Sequence, residues 1–273
     1  MHRAYAKIKE TGMPAPGTLP PELCDLYQRL PETLPAAESV AANATKCDLH
    51  TWRVYSYNGW TFDVPPGILV PGGTSRVVLD RLWDNHIVVA DRTYAVMGVG
   101  LGVEVLIAAV RGARTIYALD IHARSVHTTA TYYERFIGQC AGCRFIPLVS
   151  DLFQQLPEQT QLDVITFNPP AVAVPVSDDP NVIRNVCVGT EIMLRFLGEI
   201  AERDLLSPTG ELFVTLSNTA ELRKIIAYAV LVGFWPEVVH IQTYAPPYQA
   251  IQTFLFRMTR PGPTEALAVG NMG

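Results

Sequence analysis

The chain has 273 residues, 49% of them apolar, which suits one large domain with a sizeable core, or such a domain with an appendage. Its 26 acidic residues outnumber 21 basic ones for a net charge of −5, and no run of Lys or Arg stands out, which argues against a nucleic-acid partner. No apolar stretch approaches the roughly 18 residues of a membrane-spanning helix, so no membrane span is expected.

The opening MHRAYAKIKETGMPAPG lacks the apolar centre of a signal peptide, and the expected location is cytoplasmic. Of the five cysteines, Cys140 and Cys143 make a CxxC, but no second pair completes a zinc ribbon. An odd number in a cytoplasmic chain gives no disulfide framework, so the pair reads as a helix-to-strand loop. His50, His86, His122, His127 and His240 show no metal-ligand spacing.

Residues 1–50 are proline-rich. A helix is expected over Pro21–Leu34 and a second helical piece over Pro35–Ala44. The segment is too short for a core of its own, so it lies on the main domain, either as a lid or as a plain N-terminal helical extension. Trp52–Val64 alternates aromatic and β-branched residues around Asn58-Gly59, the signature of a β-hairpin with a type I′ turn. Leu69-Val70 then close an extended piece. Pro71-Gly72-Gly73 turn, and Thr74 or Ser75 is placed to cap a helix over Ser75–Trp83. Its free N–H groups either hold a ligand carboxylate or simply begin a helix.

From residue 94 strands and helices alternate. The strands are Tyr94–Val99, Thr115–Asp120, Arg144–Val149, Leu162–Asn168, Gly210–Leu216, Pro236–Gln242 and Gln252–Met258; the helices are Val103–Arg111, Ser125–Gly138, Thr190–Asp204 and Thr219–Val232. Continuously apolar strands such as VITFN belong in a sheet covered on both faces, and the alternation predicts an α/β, doubly wound, mostly parallel seven-stranded sheet. The loop Thr243–Ile251 is too short for a parallel crossover, which makes the last strand antiparallel. The organisation expected is 1–50 as extension or lid, 51–260 as the catalytic domain with its hairpin, and 261–273 as a flexible tail.

Four chemically useful positions follow strands. Gly98, Gly100 and Gly102 form a G-x-G-x-G turn that lets a ligand approach the backbone. Asp120 lies about twenty residues on, where a βαβ unit places an acid for ribose hydroxyls. Asp151 is suited to accept an exocyclic amine, with the N–H of Leu152 or Phe153 available to a ring nitrogen. Asn168-Pro169-Pro170 hold carbonyls rigidly at a pocket floor. In a doubly wound sheet such ends meet in one crevice.

In this order the motifs resemble the class I S-adenosylmethionine-dependent methyltransferases over roughly residues 52–258, closest to the HemK-like and small-domain rRNA methyltransferase branch. The matching features are a hairpin, the P-x-x-T turn Pro71–Thr74, the glycine turn, Asp120, the D-L-F of Asp151-Leu152-Phe153, and Asn168-Pro169-Pro170. The resemblance implies a Rossmann-like transferase that binds S-adenosyl-L-methionine through Thr74, Gly98, Gly100, Gly102, Asp120, Ile121, Asp151, Leu152 and Asn168. It also implies that Asn168, Pro169 and Pro170 form the catalytic turn.

Two positions depart from the family. Val96 stands where relatives keep an acid near the methionine part of the cofactor, and Ala171 stands where they keep a stacking aromatic. The second change argues against a base or a glutamine amide as acceptor. A small-molecule acceptor is therefore expected, with Tyr244 and Tyr248 as substrate residues and Tyr5, Tyr55 and Trp60 as further candidates for the wall around the sulfonium. Glu191 and Arg195 face either the substrate loop 171–188 or solvent. Two alternatives stay open. One is cyclisation of the cofactor with release of methylthioadenosine, as in the azetidine-2-carboxylate-forming enzymes; the other is rRNA or protein-glutamine N-methylation. The oligomeric state is open.

Overall fold

The computed structural model describes residues 19–43, 49–138 and 142–261. Tyr5, Cys47, Cys140 and the expected tail after Pro261 lie outside them. The chain opens with α1 (Pro21–Arg29) and α2 (Ala36–Asn43), then a hairpin of β1 (Arg53–Tyr57) and β2 (Trp60–Val64). Asn58 and Gly59 both have positive φ, 43° and 85°, as a type I′ turn demands. Helix α3 (Gly73–Trp83) follows. The α/β body runs β3 (Thr93–Met97), α4 (Val103–Val110), β4 (Thr115–Asp120), α5 (Ala123–Phe136), β5 (Arg144–Val149) and β6 (Leu162–Phe167). It continues with α6 (Pro180–Val186), α7 (Thr190–Glu202), β7 (Leu206–Ser217), α8 (Leu222–Leu231), β8 (Trp235–Thr243) and β9 (Gln252–Thr259).

The seven strands stand in the order β5-β4-β3-β6-β7-β9-β8. Pairs from β5 through β7 are parallel, and β9 inserts between β7 and β8, antiparallel to both, as the short final loop requires. From β3 the chain winds outward through β4 and β5, then returns to lay β6 on the other side of β3. The crevice beyond the carboxyl ends of β3 and β6 is thus the switch point of the sheet.

Each central strand is apolar on both faces because each face is covered. Ala95, Met97, Ile165 and Val214 meet Phe196, Leu197 and Ile225 of α7 and α8. Tyr94, Val96, Val164 and Phe213 meet Leu79, Leu106 and Tyr132 of α3, α4 and α5, with Phe62 of the hairpin. The first helix is shorter than expected. Leu30 leaves it at ψ 132° because Pro31 follows and disfavours helical geometry at the preceding residue. The N-terminal segment then docks on α8: the Leu30 carbonyl accepts from Arg223 at 2.8 Å, and the Leu34 N–H donates to the Asn218 carbonyl at 2.8 Å.

Two local expectations are corrected. Neither Thr74 nor Ser75 caps α3. The cap is Gly72, without a side-chain bond, and the helix begins at Gly73. The expected loop 171–188 contains α6, whose start carries signals that could have been read: the Asp179 side chain accepts from the Asn181 N–H at 2.8 Å, and Pro180 occupies the first helical position.

Candidate active site

The turn after β3 is built on three glycines with φ of 71°, 52° and 86° at Gly98, Gly100 and Gly102. The N–H groups of Gly98 and Val99 both donate to the Leu119 carbonyl, at 2.8 and 3.2 Å, which ties the turn to β4. The glycines serve different ends. A Cβ on Gly102 would lie 2.7 Å from the Thr129 side chain of α5, whereas one on Gly100 would meet nothing nearer than the Gly98 carbonyl at 3.9 Å. Gly102 is needed for packing, and Gly100 leaves an open backbone face.

Asp120, at the tip of β4, is fixed by two backbone donors: Gly100 N–H to Oδ2 at 3.1 Å and His122 N–H to Oδ1 at 2.8 Å. Burial raises its pKa, while those donors and the nearby Arg184 guanidinium oppose the rise. Ile121 beside it is 58% exposed, an apolar surface at the crevice. The neighbouring wall comes from residues 65–69 and α6. The Gly67 carbonyl accepts from Arg184 at 2.7 Å and from Asn185 at 3.2 Å, and a Cβ on Gly67 would sit 3.6 Å from the His122 ring. Burial, with Arg184 and Arg124 nearby, lowers the His122 pKa.

Asp151, after β5, pairs with Arg195 at 2.7 Å. Arg195 of α7 therefore faces neither the 171–188 segment nor open solvent; it holds the acid in place. Leu152 is buried with φ 48°, and the Phe153 N–H donates to Glu199 at 3.1 Å. Of the two donors expected here, Leu152 is the one left for a ligand.

After β6, the Asn168 carboxamide nitrogen donates to Ser75 Oγ at 2.9 Å, joining the Asn-Pro-Pro turn to the start of α3. The Pro169 carbonyl accepts from Ala171 at 2.8 Å and the Pro170 carbonyl from Gly189 at 3.1 Å. Each carbonyl thus has one of its two acceptor positions taken within the chain, which fixes the turn beside Asn168. Between this turn and α3 lies an inner chamber of about 140 Å³ that includes Thr215 and Asn185. It shares Thr74, Ser217 and Thr219 with an outer chamber of about 350 Å³, walled by Tyr244, Tyr248 and Arg53. Tyr244 is held by a 3.0 Å hydrogen bond to Thr253. Tyr55 and Trp60 do not join this wall. Tyr55 packs on Phe62, and Trp60 packs edge-on against Trp83 at 5.9 Å, at the far end of α3.

Sequence reasoning missed Glu104. Its carboxylate accepts from Thr166 Oγ1 at 2.6 Å and from the Tyr94 hydroxyl at 3.2 Å. Thr166 is the register partner of Val96, so a carboxylate from α4 stands beside the position where the acid is missing. Burial pushes its pKa up, and the two hydroxyls pull it down. The E at the second position of a helix after a glycine turn was visible; its reach to β6 was not. Among the described residues no His/Cys/Asp/Glu group has the form of a metal site, and no helix is long and apolar enough to cross a membrane.

Sheet order, strand directions and strand-end turns define the fold of the class I S-adenosylmethionine-dependent methyltransferases. Solved structures agree. The Thermus thermophilus 16S rRNA N2 G1207 methyltransferase, determined with AdoMet and guanosine, superposes at a TM-score of 0.53 with 19% identity, covering 77% of this chain and 51% of that one. The Encephalitozoon cuniculi Mtq2–Trm112 complex, which methylates the termination factor eRF1, gives 0.50 and 16%, covering 71% and 99%. Trm5b of Pyrococcus abyssi gives 0.50 and 15%, covering 77% and 56%. No protein-family model and no curated protein sequence matches the chain.

Proposed function

We propose that the protein is an S-adenosyl-L-methionine-dependent methyltransferase acting on a small-molecule acceptor. One observation carries the reading. The glycine turn, Asp120, Asp151-Leu152 and Asn168 stand at the carboxyl ends of four adjacent parallel strands, β5-β4-β3-β6, around the switch point. The donor set fits the cofactor. Gly100 offers an open backbone face, Asp120 is an oriented acceptor for ribose hydroxyls, and Ile121 offers an apolar surface to a flat ring. Leu152 N–H and Asp151 suit the polar edge of adenine, and the first turn of α3 at Thr74 suits a carboxylate.

When bound, the cofactor supplies a methyl group already activated on a sulfonium. The chain's own work is therefore positional: Asn168 and the chamber walls hold the acceptor in line, at about 3–3.5 Å from the reacting carbon, and keep water out. The closed build of the 171–188 segment supports a small acceptor. Ala171 is buried and bridges to Cys187, and α6 packs Val182 and Val186 inward onto Leu49 and Val172. No aromatic stands there to stack a splayed base or a planar amide. The net charge of −5 points the same way.

The cyclisation reading rests on Val96 in place of the acid, which would leave the cofactor's amine neutral and nucleophilic, and on Ala171 in place of the stacking aromatic. Glu104 brings a carboxylate to that corner, and this disfavours it. The rRNA and protein-amide readings rest on the sequence resemblance to the HemK-like and small-domain branch, and the superposition on an rRNA methyltransferase and on a complex that methylates eRF1 lends them support. A test separates all of these. The protein is incubated with S-adenosylmethionine alone and the nucleoside product is identified, then incubated again with small amines, rRNA fragments and a glutamine-containing peptide. The proposal expects S-adenosylhomocysteine only with a small acceptor. Methylthioadenosine without any acceptor would establish cyclisation, and failure to bind S-adenosylhomocysteine would sink the cofactor assignment.

A further inference from the structure

Helix α6, in the 171–188 segment, reaches both halves of the crevice through consecutive residues. Asn185 and Val186 line the inner chamber. Arg184, one residue earlier, turns to the corner of Asp120 instead. Its guanidinium donates to the Gly67 carbonyl at 2.7 Å and to Asn181 Oδ1 at 3.3 Å. The same glycine faces the His122 ring: a Cβ on Gly67 would sit 3.6 Å from His122 Cε1 and 3.7 Å from Arg184 Nη2. The His122 N–H in turn holds Asp120 Oδ1 at 2.8 Å. Arg184 thus stands across Gly67 from the residue that fixes the Asp120 carboxylate, while both Asp120 oxygens accept from backbone N–H groups rather than from Arg184. The helix that carries Arg184 is itself held firmly. Asp179 caps its start, and Val182 and Val186 pack with Leu49 and Val172.

We propose that Arg184 is a positioning residue for the ribose of the cofactor: it pins the Gly67 wall and sets a positive charge beside Asp120, so that this acid stays an acceptor for both hydroxyls. The proposal rests on the methyltransferase reading above and adds a residue to its cofactor site. A diol donates two hydrogen bonds and is met best by a carboxylate; a protonated carboxyl offers a donor where an acceptor is required. Burial raises the Asp120 pKa, and the backbone donors of His122 and Gly100, then the Arg184 charge, oppose the rise. Burial lowers the Arg184 pKa, and Asp120, then Asp179, oppose that in turn. The other charged and titratable groups at this corner have partners or roles of their own. Asp179 pairs with His50 at 2.6 Å. Asp151, at the neighbouring strand end, pairs with Arg195. Arg124 donates to the Pro66 carbonyl at 3.1 Å from an exposed position. His122 is biased to its neutral form by burial, with Arg184 and Arg124 adding to the effect. The glycine turn 97–102 and residues 65–69 carry no ionisable side chain. Arg184 is therefore the cation whose charge acts on Asp120.

The test uses the full chain as wild type, Arg184→Gln, Arg184→Met and Arg184→Lys. Glutamine removes the charge and keeps a donor for the Gly67 carbonyl, methionine removes both, and lysine keeps the charge. The Asp120 carboxyl is titrated directly by carboxyl-carbon NMR, with Asp120→Asn to assign its signal. S-adenosylhomocysteine affinity is measured by calorimetry from about pH 4.5 to about pH 8. Arg184→Gln and Arg184→Met should each move the Asp120 titration to higher pH. The affinity of Arg184→Gln should match wild type at the alkaline end and fall behind as pH drops, to on the order of threefold weaker on the acid limb. Arg184→Lys should restore most of that loss. His122→Asn, made in the wild type and in Arg184→Gln, should leave the difference between them in place. An affinity loss equal at every pH, with the Asp120 titration unmoved, overturns the proposal, because Arg184 would then only brace the wall. A difference that vanishes in the His122→Asn pair assigns the effect to the imidazole and overturns it as well. The two readings separate cleanly. If S-adenosylhomocysteine binds the wild type and the Asp120 titration does not move in the variants, Arg184 alone is misassigned. If S-adenosylhomocysteine fails to bind the wild type, the methyltransferase reading is wrong and the ribose role falls with it, whatever the carboxyl titration shows.

Discussion

Gly102→Ala and Gly100→Ala change the same motif by the same methyl group, and the structure assigns them opposite consequences. At Gly102 the new Cβ would meet Thr129 Cγ2 and Oγ1 at 2.7 Å and Thr129 Cβ at 2.9 Å, all within the packed contact of the turn with α5. No flexible side-chain end is available to swing away, because Thr129 is fully buried and β-branched. Forcing that overlap costs about 1–3 kcal/mol. Holding alanine at φ 86° adds about 1–2 kcal/mol. The expected loss is about 2–5 kcal/mol, or on the order of 10 °C in Tm for a domain of this size. At Gly100 the same methyl finds its nearest neighbour at 3.9 Å and φ is 52°, inside the left-handed region, so only the second cost of about 1–2 kcal/mol applies. That methyl instead stands on the open face offered to the ligand. Urea denaturation followed by circular dichroism, together with S-adenosylhomocysteine titration calorimetry, reads both effects. Gly102→Ala should lose the most stability, and Gly100→Ala should fold but lose cofactor affinity. Adding Thr129→Ala to Gly102→Ala removes two of the three close contacts and should return about 1 kcal/mol. The reasoning is refuted if the two single variants lose equal stability, or if the second-site change returns nothing.

Asp120→Ala should weaken S-adenosylhomocysteine binding by about 1.5–3 kcal/mol, the range for hydrogen bonds to a charged group, and an unchanged affinity would remove Asp120 from the ribose role. Because burial raises the Asp120 pKa, wild-type affinity should fall as pH drops through that raised value, and the fall should disappear in Asp120→Ala. Glu104 is a carboxyl whose folded pKa is raised, so its contribution to stability is complete below its ordinary 4.5 and declines as pH rises toward the folded value. Glu104→Gln keeps a carbonyl for Thr166 and Tyr94, so its Tm relative to wild type should improve between pH 4 and pH 8; a uniform loss at every pH would contradict this. Asp151→Ala breaks a pair about one-third exposed on each side, 33% and 31%, so the fold should lose no more than about 1 kcal/mol while cofactor affinity drops. A large stability loss with intact binding would assign Asp151 to structure instead.

Much of the fold was legible because it is encoded locally. The period and length of apolar runs marked each strand of the body. Asn58-Gly59 marked the hairpin, and the short Thr243–Ile251 loop dictated the antiparallel β9 before any tertiary contact was known. The ends of β3, β4, β5 and β6 could likewise be named from Gly98–Gly102, Asp120, Asp151 and Asn168, since a turn that needs positive φ or a fixed carbonyl must carry particular residue types. Helix boundaries at Leu30 and Gly73 were less legible, because a following proline or a glycine cap moves an end by a few residues while leaving the apolar pattern intact.

What only the tertiary structure decided is which polar group each of these residues meets. Arg195 reaches Asp151 across 44 positions of chain, Glu104 reaches Thr166 across 62, and Asn168 reaches Ser75 across 93. Those partners are set by the order of strands in the sheet and by the face each helix turns to it, which local periodicity does not specify. The same holds for Thr215. In the sequence it is one more threonine in an apolar strand; in the fold its residue helps line a chamber while its hydroxyl oxygen is buried without a hydrogen-bond partner. Local residue pattern settled which elements form and where their ends lie, and sheet topology settled which side chains those ends bring together.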